Sequence, residues 1–215
     1  SSWLPPVVHK PLDILLFTAD PALACRALAA GVSGVVVDWE TRAGDARRAA
    51  VDMGDAPDSP EDLLAVSKVA NGPVYCRLNR PGPGTPAEIA RALEGGATHL
   101  IAPMIERPAE VDEILGLVRG RAAVGIMIET ESACREVEAI AAVPVDFVYV
   151  GLLDLAISRH EGNPFRALVD GTADRVREAF AGTRFGIGGV TAIDGGRPVP
   201  ALDLLGELAR LDADF

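Results

Sequence analysis

The chain has 215 residues, 49% hydrophobic and 24% charged, with a formal net charge of −11. That balance suits one soluble domain, 1–215, with enough apolar material for a substantial core. No basic patch interrupts the acidity, which argues against nucleic acid as a partner. No apolar run reaches the roughly 18 residues of a membrane span, and the opening SSWLPPVVHKPLD lacks a signal peptide's apolar segment, so the expectation is a cytoplasmic protein with no membrane partner.

Short β-branched runs alternate with longer amphipathic ones. Strands are predicted at 13–17, 34–38, 73–78, 98–102, 122–128, 146–150 and 184–188, and helices at 20–30, 59–70, 85–95, 107–119, 131–141, 164–181 and 200–210. Strand, helix, strand at this spacing predicts a parallel sheet covered by helices. Asp20-Pro21, Ser59-Pro60-Glu61-Asp62 and Thr85-Pro86-Ala87-Glu88 each read as a capping side chain before a proline at the first helical position. The last five residues, LDADF, read as the opening of an eighth strand. The predicted class is therefore α/β, a (β/α)₈ TIM barrel with a truncated C-terminal unit. A doubly wound open sheet would fit the alternation too, but neither GxGxxG nor GxxxxGK[ST] follows the first strand.

The stretches 39–58 and 187–200 are the least regular, and both follow strands, where a barrel carries its active-site loops. Cys25, Cys76 and Cys134 show no metal-type spacing and read as buried small thiols.

The strand ends carry Asp38-Trp39-Glu40, Arg77-Leu78-Asn79, Glu106, Glu129-Thr130, Gly151-Leu152-Leu153-Asp154 and Gly188-Gly189. Side chains two apart share a strand face, so Gly125, Met127 and Glu129 point one way, as do Tyr75, Arg77 and Asn79, and likewise Asp38 and Glu40. If those faces look into a barrel mouth, one arginine and several carboxylates converge. Such a cluster needs donors or a cation, and carboxylates from separate strands with open positions suit Mg²⁺ or Mn²⁺ better than zinc. Each residue also has a plainer reading. Glu129 precedes the predicted 131–141 helix and Asp154 opens DLAISR, and either could be a capping residue; Arg77 could form a structural salt bridge to Asp38 or Glu40. Glu106 reads as the start of the next helix, and His160 as a solvated loop residue.

In GVVVDWE (34–40), VYCRLNR (74–80), HLIAPMIE (99–106), VGIMIET (124–130) and VYVGLLDLA (148–156) the sequence resembles the HpcH/HpaI aldolase and citrate lyase β-subunit family, of the phosphoenolpyruvate/pyruvate TIM-barrel superfamily. The resemblance implies Glu129 and Asp154 as metal ligands and Arg77 as the group that binds the substrate carboxylate and enolate oxygen. It implies backbone N–H contacts to that carboxylate from Gly151 and Leu152, and a role for Glu40 in ordering the arginine or water. Asp38 or Glu40 is a candidate base. The implied chemistry is divalent-metal-dependent carbon–carbon cleavage of a small β-hydroxy acid or its thioester, with coenzyme A undecided, in a homo-oligomer (trimer or hexamer). A thioester hydrolase, a phosphoenolpyruvate-using enzyme and a non-catalytic oxo-acid-binding subunit are the alternatives. Aldolases of this family carry a histidine directly after the second-strand acid; here the residue is Thr41, which favours the citrate-lyase-like branch.

Overall fold

The computed structural model describes residues 10–41, 57–188 and 199–215. Most of the two irregular stretches, 42–56 and 189–198, lies outside the described residues. Seven parallel strands form one sheet in chain order: β1 (Leu15–Phe17), β2 (Gly34–Asp38), β3 (Val74–Arg77), β4 (His99–Ala102), β5 (Ala123–Ile128), β6 (Phe147–Val150) and β7 (Arg184–Ile187). The connecting helices are α1 (Pro21–Ala29), α2 (Pro60–Val69), α3 (Thr85–Glu94), α4 (Pro108–Val118), α5 (Glu131–Arg135), α6 (Val137–Ala141), α7 (Leu152–Ser158), α8 (Thr172–Ala179) and α9 (Ala201–Arg210), with a 3₁₀ turn at Pro164–Leu168.

The seven expected strands form, and the sheet curls. The Asp214 N–H donates to Phe185 O (2.7 Å) while the Asp214 carbonyl accepts from the Asp13 N–H (2.8 Å), and the Ile187 N–H donates to Phe215 O (3.1 Å). The tail thus stands in the eighth position of the ring, between β7 and the chain leading into β1, as expected for LDADF. The architecture is a TIM-like α/β barrel.

Two apolar layers hold it together. The larger lies between sheet and helices and includes Val35, Val37, Cys76, Leu100, Ile126, Val148 and Phe185. The smaller fills the interior: Val36, Tyr75, Ile101, Met127, Phe147 and Phe215, with Leu15, Phe17 and Tyr149 against them. Alternate residues of one strand serve the two layers, as a pleated wall requires. Large rings fit inside because a neighbouring strand position is glycine. A Cβ on Gly34 would overlap Tyr75, on Gly125 Phe147, on Gly186 Phe215, and on Gly188 Tyr149.

Local chemistry decides most helix starts. Asp20 accepts from the N–H groups of Ala22 and Leu23, and Ser59 and Asp62 form a reciprocal capping box. Thr85 departs from expectation. It is the first helical residue, after Gly84, and its hydroxyl accepts from the Gly82 N–H (2.8 Å), while Glu88 turns to Asn79 instead of closing a box. Four other expectations are corrected. The 131–141 helix breaks at Glu136. The 164–181 helix splits at Gly171, whose φ of +87° belongs to the left-handed region. Residues 152–158 form a helix that sequence periodicity did not single out. Cys25 is exposed, while Cys76 and Cys134 are buried as expected.

Candidate active site at the strand ends

Arg77 ends β3 and is only 8% exposed. Its Nε (2.8 Å) and Nη2 (2.5 Å) donate to the two carboxylate oxygens of Asp38, and Nη1 lies 3.3 Å from Glu40 Oε2. The cation also sits 5.1 Å over the Phe17 ring. Asp38 and Glu40 hold the guanidinium's charge, outweighing the cost of burial and raising its pKa further. The salt bridge considered from sequence therefore exists. It commits two of the five guanidinium N–H groups to hydrogen bonds with Asp38, while Nη1 stands against Glu40 as an ion pair.

Further bonds fix this side. The Glu40 N–H donates to Asp38 Oδ1 (3.1 Å), and the Asp38 N–H to Asp58 Oδ2 (2.7 Å). Burial, the largest influence, raises the Asp58 pKa above the usual carboxylate value; the Asp38 N–H opposes this, and the Asp38 and Asp62 charges add to it. Thr41, standing where a histidine occurs in the resembled aldolases, donates from its hydroxyl (2.5 Å) and N–H (2.7 Å) to Asn79 Oδ1. Asn79 in turn donates to Glu88 Oε1 (2.6 Å), a clamp that sequence reading missed.

Glu129, just beyond β5, is fully buried. Its Oε1 accepts from the Met104 N–H at 2.7 Å. Met104 reaches it from the left-handed region (φ 55°), a conformation a non-glycine residue adopts at a cost of about 1–3 kcal/mol. Glu129 also lies against Gly151, where a Cβ would overlap its carboxylate. Gly151 donates its N–H to Ile128 O (3.2 Å), so at the start of α7 the backbone donors begin with Leu152. Asp154 sits in the first turn of α7, half-buried. Glu129 is one residue before the Thr130 side chain that caps α5, and Gly151 precedes α7; helix capping thus falls to neither acid's side chain.

Glu106 precedes α4 by two residues and pairs with Arg80 (3.2 Å). His160 is exposed beyond the end of α7, as a solvated loop histidine would be.

The two sides meet electrostatically at Tyr149, which sequence reading missed. Burial pushes its phenol up to about 12; Arg77 pulls the other way, and the charges of Glu129, Asp154 and Asp38 add to the rise. Its parity was legible, since Phe147, Tyr149 and Gly151 share a face of β6.

No protein-family model matches the chain, and no curated protein matches it. Solved structures do match. An HpcH/HpaI aldolase from Desulfitobacterium hafniense DCB-2 superposes with a TM-score of 0.72 at 16% identity, covering 95% of this chain and 85% of that one. The fold is that of the aldolase and citrate-lyase barrels. An HpcH/HpaI aldolase/citrate lyase family protein from Burkholderia cenocepacia J2315 gives 0.71 at 22% identity, with 96% and 86% covered. The citrate lyase β subunit of M. tuberculosis, solved with oxaloacetate and magnesium, gives 0.63 at 19%, with 96% and 90% covered.

The donor set fits a hard cation. Among the described residues no three of His, Cys, Asp and Glu group as metal ligands; Glu129 and Asp154 are the two carboxylates that the sequence resemblance implies. Mg²⁺ is commonly held by one or two carboxylates with water and substrate completing the shell. A fully buried carboxylate whose neighbouring position tolerates no Cβ is consistent with a compact oxygen site.

Proposed function

We propose that this chain is a divalent-metal-dependent carbon–carbon lyase of the HpcH/HpaI aldolase and citrate-lyase type, acting on a small β-hydroxy acid or its thioester. The observation that carries the reading is the pairing of a buried acid at the end of β5, pressed on Gly151, with a buried arginine anchored at the end of β3. The likeness in fold to aldolases and to a citrate lyase subunit solved with oxaloacetate and magnesium supports it.

In this reading Glu129 and Asp154 hold Mg²⁺ or Mn²⁺, which would supply Lewis-acid withdrawal of electron density from the substrate's oxygens. The N–H groups of Arg77 that Asp38 does not take bind the substrate's carboxylate and meet the charge developing on its enolate oxygen. Asp38, with both oxygens engaged on the guanidinium, acts as a positioning residue, and Glu40 steadies the same cation. Leu152 offers its N–H to the carboxylate from the start of α7, beside Gly151. Neither sequence nor geometry singles out a histidine as base, because Thr41 is tied to Asn79; this favours a citrate-lyase-like reaction over a simple aldolase. The substrate is a free oxo-acid adduct or an acyl thioester, coenzyme A included, and the protein works as a cytoplasmic homo-oligomer.

The test is cleavage assayed over a panel of β-hydroxy acids and malyl-type thioesters. Chelation should abolish turnover, and Mg²⁺ or Mn²⁺ should restore it. Full turnover by a Glu129→Ala, Asp154→Ala double variant would sink the reading.

A further inference from the structure

Every inward-facing residue of a small barrel either packs the interior or looks out of the mouth. Tyr149 does both. Its ring stacks on Phe215, centroids 6.2 Å apart at 28°, and joins the interior cluster. Its Cα pairs with Gly186, yet its hydroxyl lies where a Cβ on Gly188 would stand, one inward-facing level nearer the strand ends. The ring therefore leans towards the mouth, and Tyr149 keeps partial exposure although Met127 and Phe147 beside it are buried. Among the described residues no hydrogen bond engages its hydroxyl. The group is an uncommitted neutral donor, and its raised pKa keeps it protonated at neutral pH.

We propose that Tyr149 contacts the substrate, its hydroxyl donating a hydrogen bond to an oxygen of the bound oxo-acid from the β6–β7 side of the mouth. Arg77, on β3, stands across the ring from β7, because β3 and β7 are four positions apart in a ring of eight. The acid is thus held between a charged donor and a neutral one. A phenol suits this side, where Glu129, Asp154 and Asp38 already supply negative charge and a second cation would compete with a metal.

The inference rests on the function proposed above, and its test separates the two. Oxalate, a planar dianion shaped like the enolate of pyruvate, is titrated calorimetrically into the wild type, Tyr149→Phe and Gly188→Ala with Mg²⁺ present; Mn²⁺ affinity without oxalate is measured in parallel. Tyr149→Phe removes one oxygen and keeps the ring, so Mn²⁺ affinity and Tm should hold while oxalate binding weakens about tenfold, the effect expected of one hydrogen bond to a charged acceptor. Gly188→Ala, which displaces the hydroxyl, should weaken oxalate by a similar factor. Unchanged oxalate affinity in Tyr149→Phe overturns the inference but leaves the lyase reading standing. A joint fall in metal and oxalate affinity also overturns it, as the mark of a structural role. Failure of the wild type to bind oxalate with metal overturns both.

Discussion

On the β2–β3 side of the mouth, side chains hold side chains: Asp38 and Glu40 grip Arg77, and Thr41, Asn79 and Glu88 form a second chain beside them. On the β5–β6 side backbone and local space take part as well. Glu129 takes a backbone N–H from Met104, and the missing side chain at Gly151 makes room for its carboxylate. The first arrangement depends on the geometry of paired charges, and the second on the acid's charge and on the space left for it. A single charge-neutral methyl should therefore be harmful on one side and tolerable on the other.

The largest effect is expected from Glu129→Gln, which keeps the size and removes the charge. Loss of a metal's contribution of several kcal/mol predicts a fall in kcat/KM of about 10³-fold or more, with weaker Mn²⁺ binding by titration. Gly151→Ala should come close to this without any change in charge, and should also lower stability by about 1–3 kcal/mol through overpacking, read by denaturant unfolding. Full activity in Gly151→Ala would end the claim that the space beside Glu129 matters. Arg77→Lys keeps the charge but loses the forked geometry, and about a 10²-fold loss of kcat/KM is expected. Asp38→Asn leaves Arg77 in place with one weaker partner. A drop of about tenfold, mostly in kcat, would show that Asp38 positions the arginine; no change would show that Glu40 suffices.

The smallest effect concerns pH. The folded pKa of Asp58 is raised, so its protonated form is favoured by folding. Its ionisation removes stability as pH rises from the ordinary carboxylate value through the raised one. Asp58→Asn can still accept from the Asp38 N–H. It should raise Tm slightly at pH 7, on the order of 1 °C, with no gain near pH 3.5 in differential scanning calorimetry. A destabilised variant at pH 7 would show that the carboxylate's bonds outweigh its desolvation.

What the sequence made legible follows the range of the interaction. The strands were readable because every second residue of a barrel wall faces a different apolar layer, and Ser59 with Asp62 because a capping box is complete within four residues. Thr85 and Glu88 carry a comparable signature and fold otherwise, because Asn79, nine residues from Glu88, offers the acid a better partner. Helix α7 was missed for being seven residues long and opened by a glycine without a capping side chain. In the site, parity placed Asp38, Glu40, Arg77 and Glu129 on facing surfaces. Reading only strand ends overlooked Tyr149, which starts one level lower and reaches up. Met104 could not have been found, since its role depends on a backbone angle and an N–H that every residue possesses.

The glycine and aromatic neighbours inside the barrel have an evolutionary consequence. Gly34 with Tyr75, Gly125 with Phe147, Gly186 with Phe215 and Gly188 with Tyr149 each share one volume between adjacent positions of the ring. Enlarging the small partner creates a collision, and shrinking the large one leaves a void, so either step alone lowers fitness. Among descendants of this sequence the four pairs should change in concert, trading bulk across a strand boundary, and the lineage should carry that co-variation as a record of how the interior was divided.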